Sequence, residues 1–197
     1  MNFLGHIWVA RRTNTSAVGS MLGDFVKGDA SREWSGELLE GIELHRRVDT
    51  FTDSHPAFRR TRDRLDPRFR RYAGIVVDIL WDHVLARDWD EYDDEPLRSV
   101  ADGMYHDLMH AAPVLPEGML RFVRYALATD VFWAYRTVDG IDRVMKGVSR
   151  RLTRENPIGE AAAEIPAQGD ALADDFREFA AALRAEFAPL GGAPPAR

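Results

Sequence analysis

The chain has 197 residues, 45% of them apolar and 29% charged, which suits one globular domain with a buried core and excludes a disordered or membrane-embedded chain. Its formal net charge of -6 argues against nonspecific nucleic-acid binding, which draws on many cations. Cysteine is absent, so disulfides, thiolate metal ligands and thiol nucleophiles are excluded together, in keeping with a cytoplasmic protein.

Apolar residues recur at helical spacing, and no run alternates as a half-buried strand does. The expected architecture is all-α: a single-domain helical bundle over residues 1–188, followed by a tail, 189–197, rich in Gly, Pro and Ala and expected to be disordered. The first helix is expected over residues 2–12. No basic segment precedes it, so neither a secretory signal nor a membrane anchor is expected. A second helix, 17–26, takes its cap from the polar stretch 13–16, and a third covers 36–51 with Leu38, Leu39, Ile42 and Val48 as its apolar stripe. Pro56 disfavours helix at the residue before it, so the chain breaks at 54–56 and a basic helix follows over 56–65. Pro67 opens a long helix to about residue 89, carrying Ile75, Val76, Ile79, Leu80, Val84 and Leu85. Beyond an acidic break at 92–96, helices are expected over 97–110, 117–129 and 140–152. Residues 156–170 read as partly loop, and 171–187 as a final amphipathic helix.

Charge is unevenly spread. The span from Arg46 to Arg71 holds nine arginines and four acids, hence +5, while the remainder carries -11. Such a strip is either a solvated helix face or a guide for an anionic ligand or acidic partner.

Buried carboxylates and imidazoles are costly unless paired or bound to metal, so those on apolar helices are the candidates for chemistry. His45 and Asp49 are four apart and share one helix face, which makes half of a site for a divalent cation. Asp53 continues their row and is expected to cap the helix that follows. Asp78 and Asp82 repeat the four-residue spacing, with Asp78 set among Ile75, Val76, Val77, Ile79 and Leu80, so a cationic partner is expected for it. His83 points about 100° away from Asp82 on an ideal helix. Asp24 lies between Leu22-Gly23 and Phe25-Val26, and His6 among Phe3, Leu4, Ile7 and Trp8. His55, His106 and His110 lack such company and read as structural or surface residues. No serine nucleophile elbow, P-loop or His-Glu-x-x-His pattern is present.

Four segments together carry a family resemblance: Met-Asn-Phe-Leu-Gly-His at 1–6, Gly-Asp-Phe-Val-Lys-Gly at 23–28, Gly-Ile-Glu-Leu-His-Arg-Arg-Val-Asp at 41–49, and Asp-Ile-Leu-Trp-Asp-His at 78–83. In this order and spacing the chain resembles the acyl carrier protein phosphodiesterases. That family is similar to the HD phosphohydrolases in using a helical metal site, although here the neighbouring pair is Asp82-His83, the reverse of the usual order. The resemblance implies removal of the 4′-phosphopantetheine arm from holo acyl carrier protein, in fatty-acid metabolism, with a divalent cation, Mn²⁺ favoured and Mg²⁺ the alternative. It implies metal ligation by Asp24, His45, Asp49 and Asp78. Arg46 or Arg47 would steady the phosphate, and His6, Asp82 or His83 would handle the protons. It also gives the arginine strip a purpose, docking an acidic carrier protein. Two other readings stand beside it: an HD-like hydrolase of nucleotides or other small phosphodiesters, and a non-catalytic helical binding protein whose acids are paired with arginines.

Overall fold

The expected tail, 189–197, lies outside the residues described by the computed structural model, which are 1–188. The described residues form ten α-helices joined by short 3₁₀ turns, with no strand among them. In chain order these are α1 (Phe3–Arg12), α2 (Ala17–Leu22), α3 (Gly36–Ser54), α4 (Pro56–Arg64), α5 (Ala73–Arg87), α6 (Leu97–Ala111), α7 (Glu117–Thr129), α8 (Val131–Ala134), α9 (Val138–Arg151) and α10 (Glu164–Glu186). None is long and apolar enough to cross a membrane.

Local chemistry sets most boundaries. Ser16 accepts the Gly19 N–H at 3.1 Å to start α2, and Thr137 accepts the Gly140 N–H at 3.0 Å to start α9. Five details depart from the sequence reading. α2 stops at Leu22, and Gly23–Phe25 forms a separate 3₁₀ turn. α3 runs on to Ser54, so Asp53 is helical; the cap of α4 is His55, whose Nδ1 accepts the Ala57 N–H at 3.2 Å. The long helix expected from Pro67 is split into a 3₁₀ turn (Pro67–Tyr72) and α5. α8 was not anticipated; it is four residues long and follows Asp130, whose left-handed backbone (φ 48°) is held by Arg98 at 2.6 Å. α10 begins seven residues before its expected start, because Pro166 sits in the first turn, where a missing N–H costs nothing.

One apolar core serves all the described elements. Trp81 of α5 lies near its centre, against Phe58 of α4 and Phe176 and Phe179 of α10, with ring centroids 5.4, 5.7 and 4.6 Å away. On one side of this core α1 packs against α2, α3 and α5. α2 and α3 cross backbone to backbone at Gly19 and Gly41: a Cβ on Gly41 would lie 2.6 Å from Ser16 O and from Gly19 C. That contact brings the turn after α2 alongside the middle of α3, where His45 is.

Candidate metal centre

α3 presents His45 and Asp49 one turn apart, and His45 Nε2 lies 3.0 Å from Asp49 Oδ2. α1 brings His6 to the other oxygen, with Nε2 3.1 Å from Asp49 Oδ1. The two imidazoles stack, their centroids 4.0 Å apart and their planes 22° from parallel. Asp24, on the turn after α2, places Oδ1 3.8 Å from His45 Nε2. The turn can come this close because residue 23 is glycine: a Cβ there would lie 2.4–2.7 Å from atoms of the His45 side chain. On α5, Asp78 Oδ1 is 3.1 Å from the Met1 amino nitrogen, which is also 3.4 Å from Asp49 Oδ1. The three candidate ligands on α2's exit turn and α3, the α5 candidate and His6 therefore converge on one place.

Burial and charge act against each other here. Burial, helped by the Met1 ammonium and His45, pushes the His6 pKa down to about 4 against the pull of Asp49, so the ring is neutral at pH 7. Burial also acts to raise Asp49, but His45, His6 and the Met1 ammonium together hold its carboxyl well below the usual carboxylate range. Asp24 and Asp78 are both raised, chiefly by burial. The Met1 amine loses from burial and gains more from Asp78 and Asp49, ending at about 10.

Two sequence candidates are committed elsewhere. Asp82, 1% exposed, accepts the backbone N–H of Leu4 (2.7 Å) and of Gly5 (3.0 Å), one on each oxygen. It thereby caps the N-terminus of α1, which has no side-chain cap of its own. Burial raises its pKa to about 7 against the pull of those two N–H groups. His83 donates from Nδ1 to the Tyr135 carbonyl at 2.7 Å, which leaves Nε2 as the nitrogen with a lone pair. It makes no hydrogen bond or ion pair with the cluster. Arg46 donates to the Val26 carbonyl at 3.2 Å, and the Arg47 guanidinium lies 5.2 Å from the centroid of the Phe187 ring. Neither forms an ion pair with a cluster carboxylate among the described residues, and both line a cleft of about 430 Å³ between α3 and the end of α10.

The donor set fits a divalent cation. His6 is fully buried, its Nε2 meets only the Asp49 carboxylate at 3.1 Å, and its Nδ1, like His45 Nδ1, has no hydrogen-bond partner. Such orphaned nitrogens are costly unless something outside the protein uses them. One ligand atom each from His6, His45 and Asp49 lies within 4.8 Å of the others, a group able to hold a metal ion. Separations of 3.0 and 3.1 Å match the spacing, about 3 Å, of neighbouring ligand atoms each about 2.1 Å from a common cation. Reading from sequence placed His6 among the acid–base candidates; the structure sets it in a group that could hold a metal ion. It overlooked the Met1 amine and the Tyr135 carbonyl. The first had little signal, since Met1 lies before α1, whose first residue is Phe3. The second had none, a backbone carbonyl being invisible in residue identity.

Residues 1–183 match the family model described as acyl carrier protein phosphodiesterase. The acyl carrier protein phosphodiesterases of Salmonella agona (strain SL483), Salmonella newport (strain SL254) and Salmonella heidelberg (strain SL476) are each 33% identical to it, over 95% of this chain and 98% of the relative. No solved structure matched the chain. The protein is thus a hydrolase of the phosphodiesterase class. More particularly, the chain belongs to the acyl carrier protein phosphodiesterase family.

Proposed function

We propose that this protein hydrolyses the phosphodiester linking 4′-phosphopantetheine to a serine of holo acyl carrier protein, with a divalent cation held by His6, His45 and Asp49. The convergence of those three ligand atoms carries the reading. Asp24 and Asp78 stand at the edge of the set as further carboxylate ligands. A cation in this position supplies Lewis acidity, drawing charge from the phosphoryl oxygens and acidifying the attacking water. Imidazole and carboxylate together favour Mn²⁺ over Mg²⁺, which prefers an all-oxygen shell.

The chain's own residues divide the remaining work. Neutral His6 offers a lone pair at pH 7, and ionised Asp49 supplies the negative charge that a dication needs. Asp82 acts by positioning α1, and through it His6, since both its oxygens are engaged. Of the three acid–base candidates His83 alone retains an uncommitted basic nitrogen, and proton transfer is assigned to its Nε2. Arg46 and Arg47, beside His45 on α3, are the cations assigned to the substrate phosphate.

The test is incubation with holo acyl carrier protein and Mn²⁺ followed by mass measurement of the carrier. Loss of the pantetheine arm is expected. An unchanged carrier mass, with a nitrophenyl phosphodiester hydrolysed under the same conditions, would overturn the protein substrate in favour of small phosphodiesters.

A further inference from the structure

The nine arginines between Arg46 and Arg71 do different things once folded. Arg60 and Arg64 each reach Asp175 at 2.8 Å, Arg60 also meets Glu178, and Arg68 meets Glu160 at 2.6 Å. These are tied into the bundle. Arg62, Arg70 and Arg71 are exposed and form no ion pair among the described residues. All three line a cleft of about 580 Å³ at the junction of α4 and α5, whose only acidic lining residue is Asp63. Three guanidinium groups gathered with a single carboxylate leave an excess of positive charge, which an anionic guest relieves.

Position and shape narrow the guest. Gly74 lines the cleft, and Asp78 follows it by four residues on α5, hence by one helical turn, about 6 Å along the axis. The cleft therefore shares α5 with Asp78, one turn before it. Ile75, next to Gly74, is 38% exposed, an apolar contact that a free phosphate has no use for. Arginines flanking an exposed aliphatic residue are the composition of a protein-docking surface. We propose that the cleft of Arg62, Arg70 and Arg71 docks an acidic segment of the protein substrate and sets its modified serine at the cluster one turn away. The inference rests on the carrier-protein activity proposed above.

The experiment compares wild type with R62A/R70A/R71A and with the charge-keeping R62K/R70K/R71K. On holo acyl carrier protein, the alanine variant is expected to raise KM at least about tenfold with kcat within about twofold, and the lysine variant to restore most of the KM. Wild-type KM should climb between 50 and 300 mM salt while that of the alanine variant stays nearly flat (salt values about those needed to halve the screening length). KM unchanged in the alanine variant, or an equal loss of kcat/KM on a nitrophenyl phosphodiester, overturns docking at this cleft. Calorimetric titration with apo acyl carrier protein separates the two readings, because it needs no turnover. Binding weakened about tenfold in the alanine variant, together with an unchanged holo-carrier mass, would leave the docking surface standing and the activity wrong. A single-stranded oligonucleotide binding the wild type more tightly than apo carrier protein does would also overturn it, giving the cleft to nucleic acid.

Discussion

Two carboxylates, Asp49 and Asp175, are each drawn in among several partners, and the partners differ in kind. Asp175 is met by Arg60 through Nε and Nη2 (3.0 and 2.8 Å), by Arg64 at 2.8 Å and by the Thr61 hydroxyl at 2.8 Å. Permanent cations and a hydroxyl occupy both oxygens, and the group ties α4 to α10 with nothing left to bind. Asp49 is met by two imidazoles, of which His6 is neutral at pH 7 and has no partner on Nδ1. A carboxylate closed by arginines is a joint; one faced by imidazoles lies among groups that can share a dication.

Substitution at each place should fail in a different currency. The largest effect is expected from His45→Ala: kcat/KM falls by more than the roughly 10–100-fold typical of residues that merely support a metal ligand. In this variant Mn²⁺ should no longer raise the melting temperature, as scanning calorimetry with and without the ion would read. Retention of both properties would remove the cluster's claim to a metal. Asp175→Ala should show the reverse pattern. Loss of its three partners costs about 2–3 kcal/mol, a fall of about 5–10 °C in Tm, with Mn²⁺ stabilisation and turnover close to wild type.

The smallest effect sharpens the comparison at Asp82, a carboxylate held only by backbone N–H groups. Its folded pKa of about 7 lies above the unfolded value near 4, so the folded state binds this proton more tightly. Its contribution is full below about pH 4 and is lost as pH rises through about 7. Wild type should therefore lose part of its Tm advantage over Asp82→Asn, about 2–4 °C, between pH 5 and pH 8 in the presence of a chelator. A gap that stays constant or widens over that range would show that Asp82 is ionised in the fold at all these pH values.

Much of the helical content was legible because the apolar periodicity of α3, α6 and α7 agrees with the prolines at their ends. The His45–Asp49 pair was legible for the same reason, since i and i+4 on one helix meet regardless of the tertiary fold. What the sequence could not disclose was set by partners far away. Asp53 and His55 compete for one cap, and the choice depends on how far α3 extends. Asp78 and Asp82 look alike on a helical wheel, yet one faces the Met1 amine and the other the first N–H groups of α1. Likewise, nine arginines in a row of sequence do not reveal which of them Asp175, Glu178 and Glu160 will claim.

The bonds from Leu4 and Gly5 to Asp82 join residues 78 and 77 apart in the chain. A helix of ten residues such as α1 does not hold its shape alone in water. During synthesis, then, the segment bearing His6 leaves the ribosome before α5 but is ordered only after α5 has been made and has docked. Completion of the proposed metal site is tied to one long-range closure, so recovery of activity on refolding should lag behind recovery of helical signal.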